Sequence, residues 1–227
     1  MKVLFLISNY QRKDMLIKLV NEITDNGYDY FIIDDKSDYN LNEIVDETGK
    51  SIIPTFKYKV NEFNYGKNLY YKTFTKLMQH CMNKPDYDYF IFTPNDFVDY
   101  DFDRLFKYAN AFKNDYFMFN LINDGRTQCW NHHSITKLTN DIYRAYYCDC
   151  GFVTNYKTLK TFNFCIPKPP LVFEQKDRSS GVGYYLTTRG IKARVNMYLP
   201  VKSLAVHGEH DSVMHYEQRK KDILKSR

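Results

Sequence analysis

The sequence predicts an α/β domain built on a mainly parallel sheet flanked by helices. Three observations carry that prediction. Up to Ile122, short apolar runs alternate with amphipathic helical stretches, the order expected of strands joined by crossover helices. The apolar runs are continuous, as in strands buried on both faces. Of the 227 residues 44% are hydrophobic and 26% charged, which supplies a core for one large domain and argues against disorder.

The elements follow in order. Lys2–Ser8 (KVLFLIS) is an apolar run ended by polar residues and predicts the first strand. Asp14–Asn26 carries Met15, Leu16, Leu19, Val20 and Ile23 at helical spacing, with Gly27 placed to terminate the helix. Tyr28–Ile33 predicts the second strand, which stops at Asp34-Asp35-Lys36-Ser37. Leu41–Thr48 reads as a short helix and Ile52–Val60 as a third strand interrupted by Pro54. Gly66–Asn83 predicts a long helix with Leu69, Phe74, Leu77, Met78 and Met82 on its apolar side. Asp88–Thr93, Asp101–Phe112 and Tyr116–Ile122 then predict strand, helix and strand.

The second half is less regular. Asn123–Thr139 is polar and reads as a loop or lid, with Trp130, His132 and His133. Trp130 suits stacking on a sugar or base and equally suits anchoring the loop; the adjacent histidines suit the surface better than one shared ion. Arg144–Thr154 predicts a strand, Asn155–Phe162 a short helix, and Pro167–Pro170 a linker. Ser180–Thr188 reads as a helix capped by Gly190, and Ala193–Met197 as a further strand.

Composition narrows the partners. The net charge of +5 and pI of about 8.7 are compatible with a polyanion without requiring one. The cationic end QRKKDILKSR is a solvated helix end or a contact for phosphate. Five cysteines with no C-x-x-C spacing argue for a reduced compartment and against a structural zinc site. The apolar KVLFLI is too short for a signal peptide or membrane span, so a cytoplasmic location is expected, in a bacterium or a phage-infected host cell.

In parallel α/β sheets ligands collect at the carboxyl ends of the strands. Three polar clusters fall at such ends here: Ser8-Asn9-Tyr10-Gln11-Arg12, Asp34-Asp35-Lys36-Ser37 and Thr93-Pro94-Asn95-Asp96. A single acid after a strand is most often a cap; three clusters on one rim point to a shared nucleotide site. Asp34 or Asp35 suits a base N–H or a ribose hydroxyl, Asn95 offers a neutral oxygen, and Asp96 suits a hard divalent cation. The first strand is not followed by a glycine-rich phosphate loop, so a metal ion, or Arg12 and Lys67, must neutralise phosphate charge.

These segments, in this order, resemble GT-A glycosyltransferases of the family-2 type. ISNYQRKDMLIKLVNEI resembles the opening strand, T-x-N-R-like segment and helix. FIIDDKSDYN is similar to the strand ending in D-D-x-S, and FNYGKNLYYKTFTKLM to the N-x-G-x-x-x-A-x-N helix, with Lys and Tyr in place of small residues. YFIFTPNDF falls at the D-x-D metal motif, of which the last acid stands as Asp96 behind Pro94 and Asn95. CDCGFV and SSGVGYYLTTRG resemble later segments, the second without its acid pair, and SLAVHG resembles the late metal-binding histidine as His207.

The resemblance implies a GT-A-like, Rossmann-type mixed sheet in a single domain, 1–227. Residues 1–122 would bind the nucleotide sugar, and residues 123–227 would form the acceptor half and tail. It implies a nucleotide-sugar donor such as a UDP-sugar, with Mn²⁺ or Mg²⁺ held by Asp96 and His207. Ser8, Asn9, Arg12, Asp34, Asp35, Lys67 and Asn95 would contact the donor. Inversion at the sugar needs a carboxylate base in the second half, where Asp177 is preferred, Asp149 stands behind it and Glu174 is a further candidate. Retention would need no base there.

The expected function is sugar transfer to an acceptor hydroxyl, with a hydroxymethylated pyrimidine in DNA as the expected acceptor, as in phage enzymes that glycosylate their own genomes. A surface glycan or lipid-linked saccharide is the alternative acceptor. A non-catalytic α/β nucleic-acid-binding protein is the alternative class, in which the rim acids are only caps. A nucleotidyltransferase would want a glycine-rich basic loop after the first strand, of which SNYQRK is a poor version.

Overall fold

A computed structural model describes residues 1–66, 68–123, 135–168 and 181–208. Strand β1 (Val3–Asn9) is buried along its whole length. Val3, Phe5 and Ile7 enter one apolar core while Leu4 and Leu6 enter a second, so the run carries no polar alternation. Helix α1 (Lys13–Asp25) covers the first core with Leu16, Leu19, Val20 and Ile23, the stripe its spacing predicts. Gly27 ends it at φ 73°, left-handed backbone that glycine enters without steric cost.

Strand β2 (Asp29–Asp34) follows as expected, but the next two expectations change. Leu41–Thr48 is not a helix beyond the 3-10 turn Leu41–Glu43. The Asp46 carboxylate accepts from the Thr48 and Lys50 amides, and Val45 bridges Ser51, so local side-chain bonding competes with the helix. The third strand shortens to β3 (Tyr58–Val60), because Pro54 is followed by a 3-10 turn over Thr55–Lys57. Helix α2 (Tyr70–His80) is the core of the predicted Gly66–Asn83 helix.

Strand β4 (Tyr89–Pro94) is followed by the two-residue β5 (Phe97–Val98) and by α3 (Phe102–Ala111), whose N-cap Asp101 accepts from the Arg104 amide. Strand β6 (Phe117–Asn120) matches expectation, and β7 (Thr136–Lys137) lies in the stretch read as a loop. Arg144–Thr154 is not one strand. It divides into β8 (Ile142–Ala145) and β9 (Phe152–Thr154) around the turn that holds Asp149. Helix α4 (Tyr156–Thr161) is capped by Asn155.

Helix α5 (Val182–Lys192) runs through Gly190 instead of stopping there. A Cβ at Gly190 would lie 2.8 Å from Met197 and 2.9 Å from Met118, so this glycine serves close packing against the sheet. The next strand, β10, is displaced to Asn196–Pro200, and β11 is Val206–His207.

Among the described residues the main sheet has the order β3-β2-β1-β4-β9-β6-β10-β8-β7. Strands β3, β2, β1 and β4 run parallel, β9 runs against β4 and β6, and β6 and β10 are parallel. Strand β8 runs against β10, and β7 against β8. A separate two-stranded ribbon joins β11 to β5. Helices α1 and α3 cover one face and α2, α4 and α5 the other.

Much of the aromatic content goes into the core. Phe92 stacks on both Phe74 and Phe152, at 4.9 and 5.0 Å, and these two rings lie 6.1 Å from each other, which ties α2 to β4 and β9. No helix among the described residues is long and apolar enough to cross a membrane.

Candidate functional site

The strand registers put the three polar clusters side by side. Asn9 pairs with Asp34 across β1 and β2, and Ser8 with Pro94 across β1 and β4. Beyond these ends lies a cleft of about 110 Å³. It is lined by Ser8, Asn9, Tyr10, Arg12, Asp35, Gly66, Tyr70, Thr73, Pro94, Asn95 and Asp96.

The two adjacent acids of β2 do different work. Asp34 is buried and does not line the cleft. Its oxygens accept from the Asn9 amide at 2.5 Å and from the Ser37 amide and hydroxyl at 2.9 and 2.6 Å. Asp35 does line the cleft. Its Oδ1 accepts from Asn61 and the Tyr65 amide at 2.8 and 2.9 Å, and its Oδ2 from the Gly66 amide at 2.8 Å. Asp34 thus fixes the rim, while Asp35 holds the wall made by residues 61–66.

Asn95 faces the same network. Its amide nitrogen donates to Asn9 Oδ1 at 2.7 Å and to the Gln11 carbonyl at 2.8 Å, which leaves its oxygen as the uncommitted group. Ser8 shares a 2.9 Å hydrogen bond with the Tyr70 hydroxyl. Tyr70 is half-buried with its hydroxyl enclosed, and that burial pushes its pKa well above the usual value, aided by Cys150, Asp149 and Asp96.

Arg12 reaches the cleft through an unusual backbone. Gln11 and Arg12 both adopt left-handed conformations, φ 55° and 58°, each costing roughly 1–2 kcal/mol for a non-glycine residue. The curl is held by Ser37, whose hydroxyl accepts from the Gln11 amide, and by Tyr39 and Asn95, which donate to the Gln11 carbonyl. Its result is an ion pair between Arg12 Nη1 and Asp96 Oδ2, with both side chains only 12% and 11% exposed.

His207 approaches the same carboxylate oxygen, Nε2 lying 3.4 Å from Asp96 Oδ2. The β11–β5 pairing places it there, opposite Phe97. The Gly208 amide donates to the Asp96 carbonyl at 2.7 Å and closes the arrangement.

Asp149 lies between β8 and β9. It is exposed, because the β8–β9 chain turns there and does not continue as one strand. Its amide donates to Asn120 Oδ1 at 2.9 Å. Lys67, Trp130, His132, His133, Glu174, Asp177, Ser179 and Ser180 lie outside the described residues.

Sequence reasoning missed Tyr70, Thr73 and Gly66 as cleft residues. The signal for Tyr70 was its place in FNYGKNLYYK, where the resembling helix carries a small residue.

No family model matches the chain, and no curated protein matches it in sequence. Solved structures do match in shape. TarS 1–349 of S. aureus superposes with TM-score 0.50 at 15% identity, over 88% of this chain and 60% of that one. A197 from STIV gives 0.52 at 15% identity, over 92% and 87%. GalNAc-T7, in a crystal with UDP, GalNAc and Mn²⁺, gives 0.55 at 11% identity, over 88% and 42%. The fold is GT-A-like. The chain spans 60% of TarS 1–349 and 42% of GalNAc-T7, less than two thirds of either.

A GT-A-like fold raises the question of a divalent cation at Asp96. Among the described residues no three His, Cys, Asp or Glu side chains converge as a metal site. Asp96 and His207 are two donors, and the carboxylate is already paired with Arg12. A dication there would compete with Arg12 for the same carboxylate and meet its repulsion. The described donor set therefore does not fit a resident cation while Arg12 holds Asp96.

Proposed function

We propose that the protein transfers a sugar from a nucleotide-sugar donor to an acceptor hydroxyl. The observation that supports this most is the convergence of Asn9, Arg12, Asp35, Asn95 and Asp96 on one cleft at the strand ends of a GT-A-like fold. Asp35 Oδ2, with one N–H donor from the chain, has capacity to accept from a base N–H or ribose hydroxyl. The Asn95 oxygen is suited to a ribose hydroxyl. Ser8 and Tyr70 would shape the far wall, and Arg12 would lie against the phosphates.

Transfer requires that the acceptor oxygen bond to the anomeric carbon as the sugar–phosphate bond breaks and charge develops on the departing diphosphate. Arg12 answers that charge. An inverting reaction also needs a base for the acceptor proton. Asp149 fills that role in our reading, as an exposed acid between β8 and β9 that an incoming acceptor can reach. Asp177 retains the same role by its resemblance. A cation at Asp96 and His207 is not required by this scheme.

For the acceptor we place a saccharide hydroxyl ahead of a hydroxymethylated base in DNA. The net charge of +5, a surplus after every acid is counted, is too mild to mark a DNA acceptor by itself.

A thermal-shift screen with UDP, GDP, CDP and TDP, followed by donor hydrolysis with the matching nucleotide sugars, tests the reading. A selective rise in melting temperature with one diphosphate is expected by mass action. No response to any nucleotide would favour the non-catalytic alternative.

A further inference from the structure

We propose that the donor's diphosphate is neutralised by Arg12 in place of a divalent cation, and that Asp96 is the residue that positions Arg12. The substrate class rests on the nucleotide-sugar reading above.

The backbone is the first argument. Two consecutive residues, Gln11 and Arg12, sit in left-handed conformations. Ser37, Tyr39 and Asn95 all bond Gln11 to keep them there. A solvated arginine needs no such support. The curl turns Arg12 back over the ends of β1 and β4, into the cleft.

The second argument is the ion pair. Arg12 and Asp96 are joined with nearly nine-tenths of each side chain out of solvent. A guanidinium is a rigid planar fork that matches phosphate oxygens bidentately, and Arg12 lines the cleft. Asp96 fixes the orientation of the fork, and the cleft lies beside it.

The third argument is the donor set. Pro94 and Asn95 precede Asp96, and the Asn95 nitrogen is turned inward as a donor to Asn9 and Gln11. Asp96 and His207 alone do not make a three-residue ligand group among the described residues.

Isothermal titration with UDP and with inorganic pyrophosphate, each in EDTA and in Mn²⁺, tests this on the wild-type chain. Both ligands should bind in EDTA, and Mn²⁺ should tighten binding by less than about tenfold. Arg12→Ala should weaken UDP and pyrophosphate in EDTA by about tenfold or more, Arg12→Lys by less, with uridine unaffected. Asp96→Asn should weaken both ligands by misplacing Arg12, and added Mn²⁺ should make no difference to that loss. Binding that appears only with Mn²⁺, or an Arg12→Ala variant that binds as tightly as wild type, would overturn the proposal while leaving the donor reading intact. Pyrophosphate binding in EDTA with no preference for any nucleoside diphosphate would retain the Arg12 site and sink the donor reading. No binding of either ligand under either condition would sink both.

Discussion

The Asn95 amide nitrogen donates to the Asn9 side-chain oxygen at 2.7 Å, joining the end of β4 to the end of β1. Asn9 uses its own nitrogen on Asp34 at 2.5 Å, so three strand ends are linked through two asparagines. This explains an asparagine where the D-x-D pattern would place an acid. A carboxylate at 95 would face two acceptors, Asn9 Oδ1 and the Gln11 carbonyl. Asn9 cannot turn its amide to meet it without releasing Asp34.

Asn95→Asp is therefore expected to destabilise the fold, although it restores an acid to the motif. Two buried hydrogen bonds are lost and a charge is left against carbonyl oxygens, a cost of about 2–3 kcal/mol. Urea unfolding near neutral pH measures it. Unchanged stability would mean that the network does not hold the rim together.

Asp35→Asn should loosen one wall of the cleft while the sheet stays folded. Both carboxylate oxygens accept N–H groups, so an amide nitrogen meets a donor whichever way it turns. The expected loss is about 1–3 kcal/mol. Hydrogen exchange locates it: protection of the Tyr65 and Gly66 amides should fall, while that of β1 amides should hold. A uniform loss across β1 would place Asp35 in the global core instead.

The sheet and the rim were legible in the sequence for the same reason. Strands buried on both faces, such as Val3–Asn9, must be continuous apolar runs, and their ends are where polar residues can begin. The reversal of β9 between β4 and β6 was not legible, because strand direction within a sheet is set by tertiary packing. The failed helix at Leu41–Thr48 had a local signal in Asp46 and Gly49, whose turn chemistry outweighs the apolar spacing. The role of Arg12 was legible only as a charge near phosphate. Its pairing with Asp96 depends on two left-handed residues that no spacing rule anticipates.

Two glycines near the site should differ sharply in their tolerance of alanine. A Cβ at Gly151 would lie 2.4 Å from Cε2 of Phe97, a buried ring packed edge-on to His207. A Cβ at Gly208 would lie 2.3 Å from Cε of Met15, the end of a flexible side chain. Gly151→Ala should cost about 1–3 kcal/mol by overpacking, and Gly208→Ala less than about 1 kcal/mol because methionine repacks. Equal effects in denaturant melts would contradict the packing described around Phe97.

Stability should also carry a histidine-dependent slope in acid. His80 stacks on Phe31 with ring centroids 3.5 Å apart. Burial lowers its pKa from 6.5 to about 4, helped by the positive charges of Lys84, Lys59 and Lys57. Between those values the unfolded chain takes up a proton that the folded chain refuses. The contribution is therefore complete above about pH 6.5 and is lost as pH falls towards 4. His80→Phe keeps an aromatic ring against Phe31 and removes the proton site. Thermal melts of both proteins from pH 7 to 4.5 should show the wild type losing melting temperature faster than the variant, over and above the fall that carboxylates impose on both. Parallel curves would show that His80 titrates alike in the folded and unfolded chains.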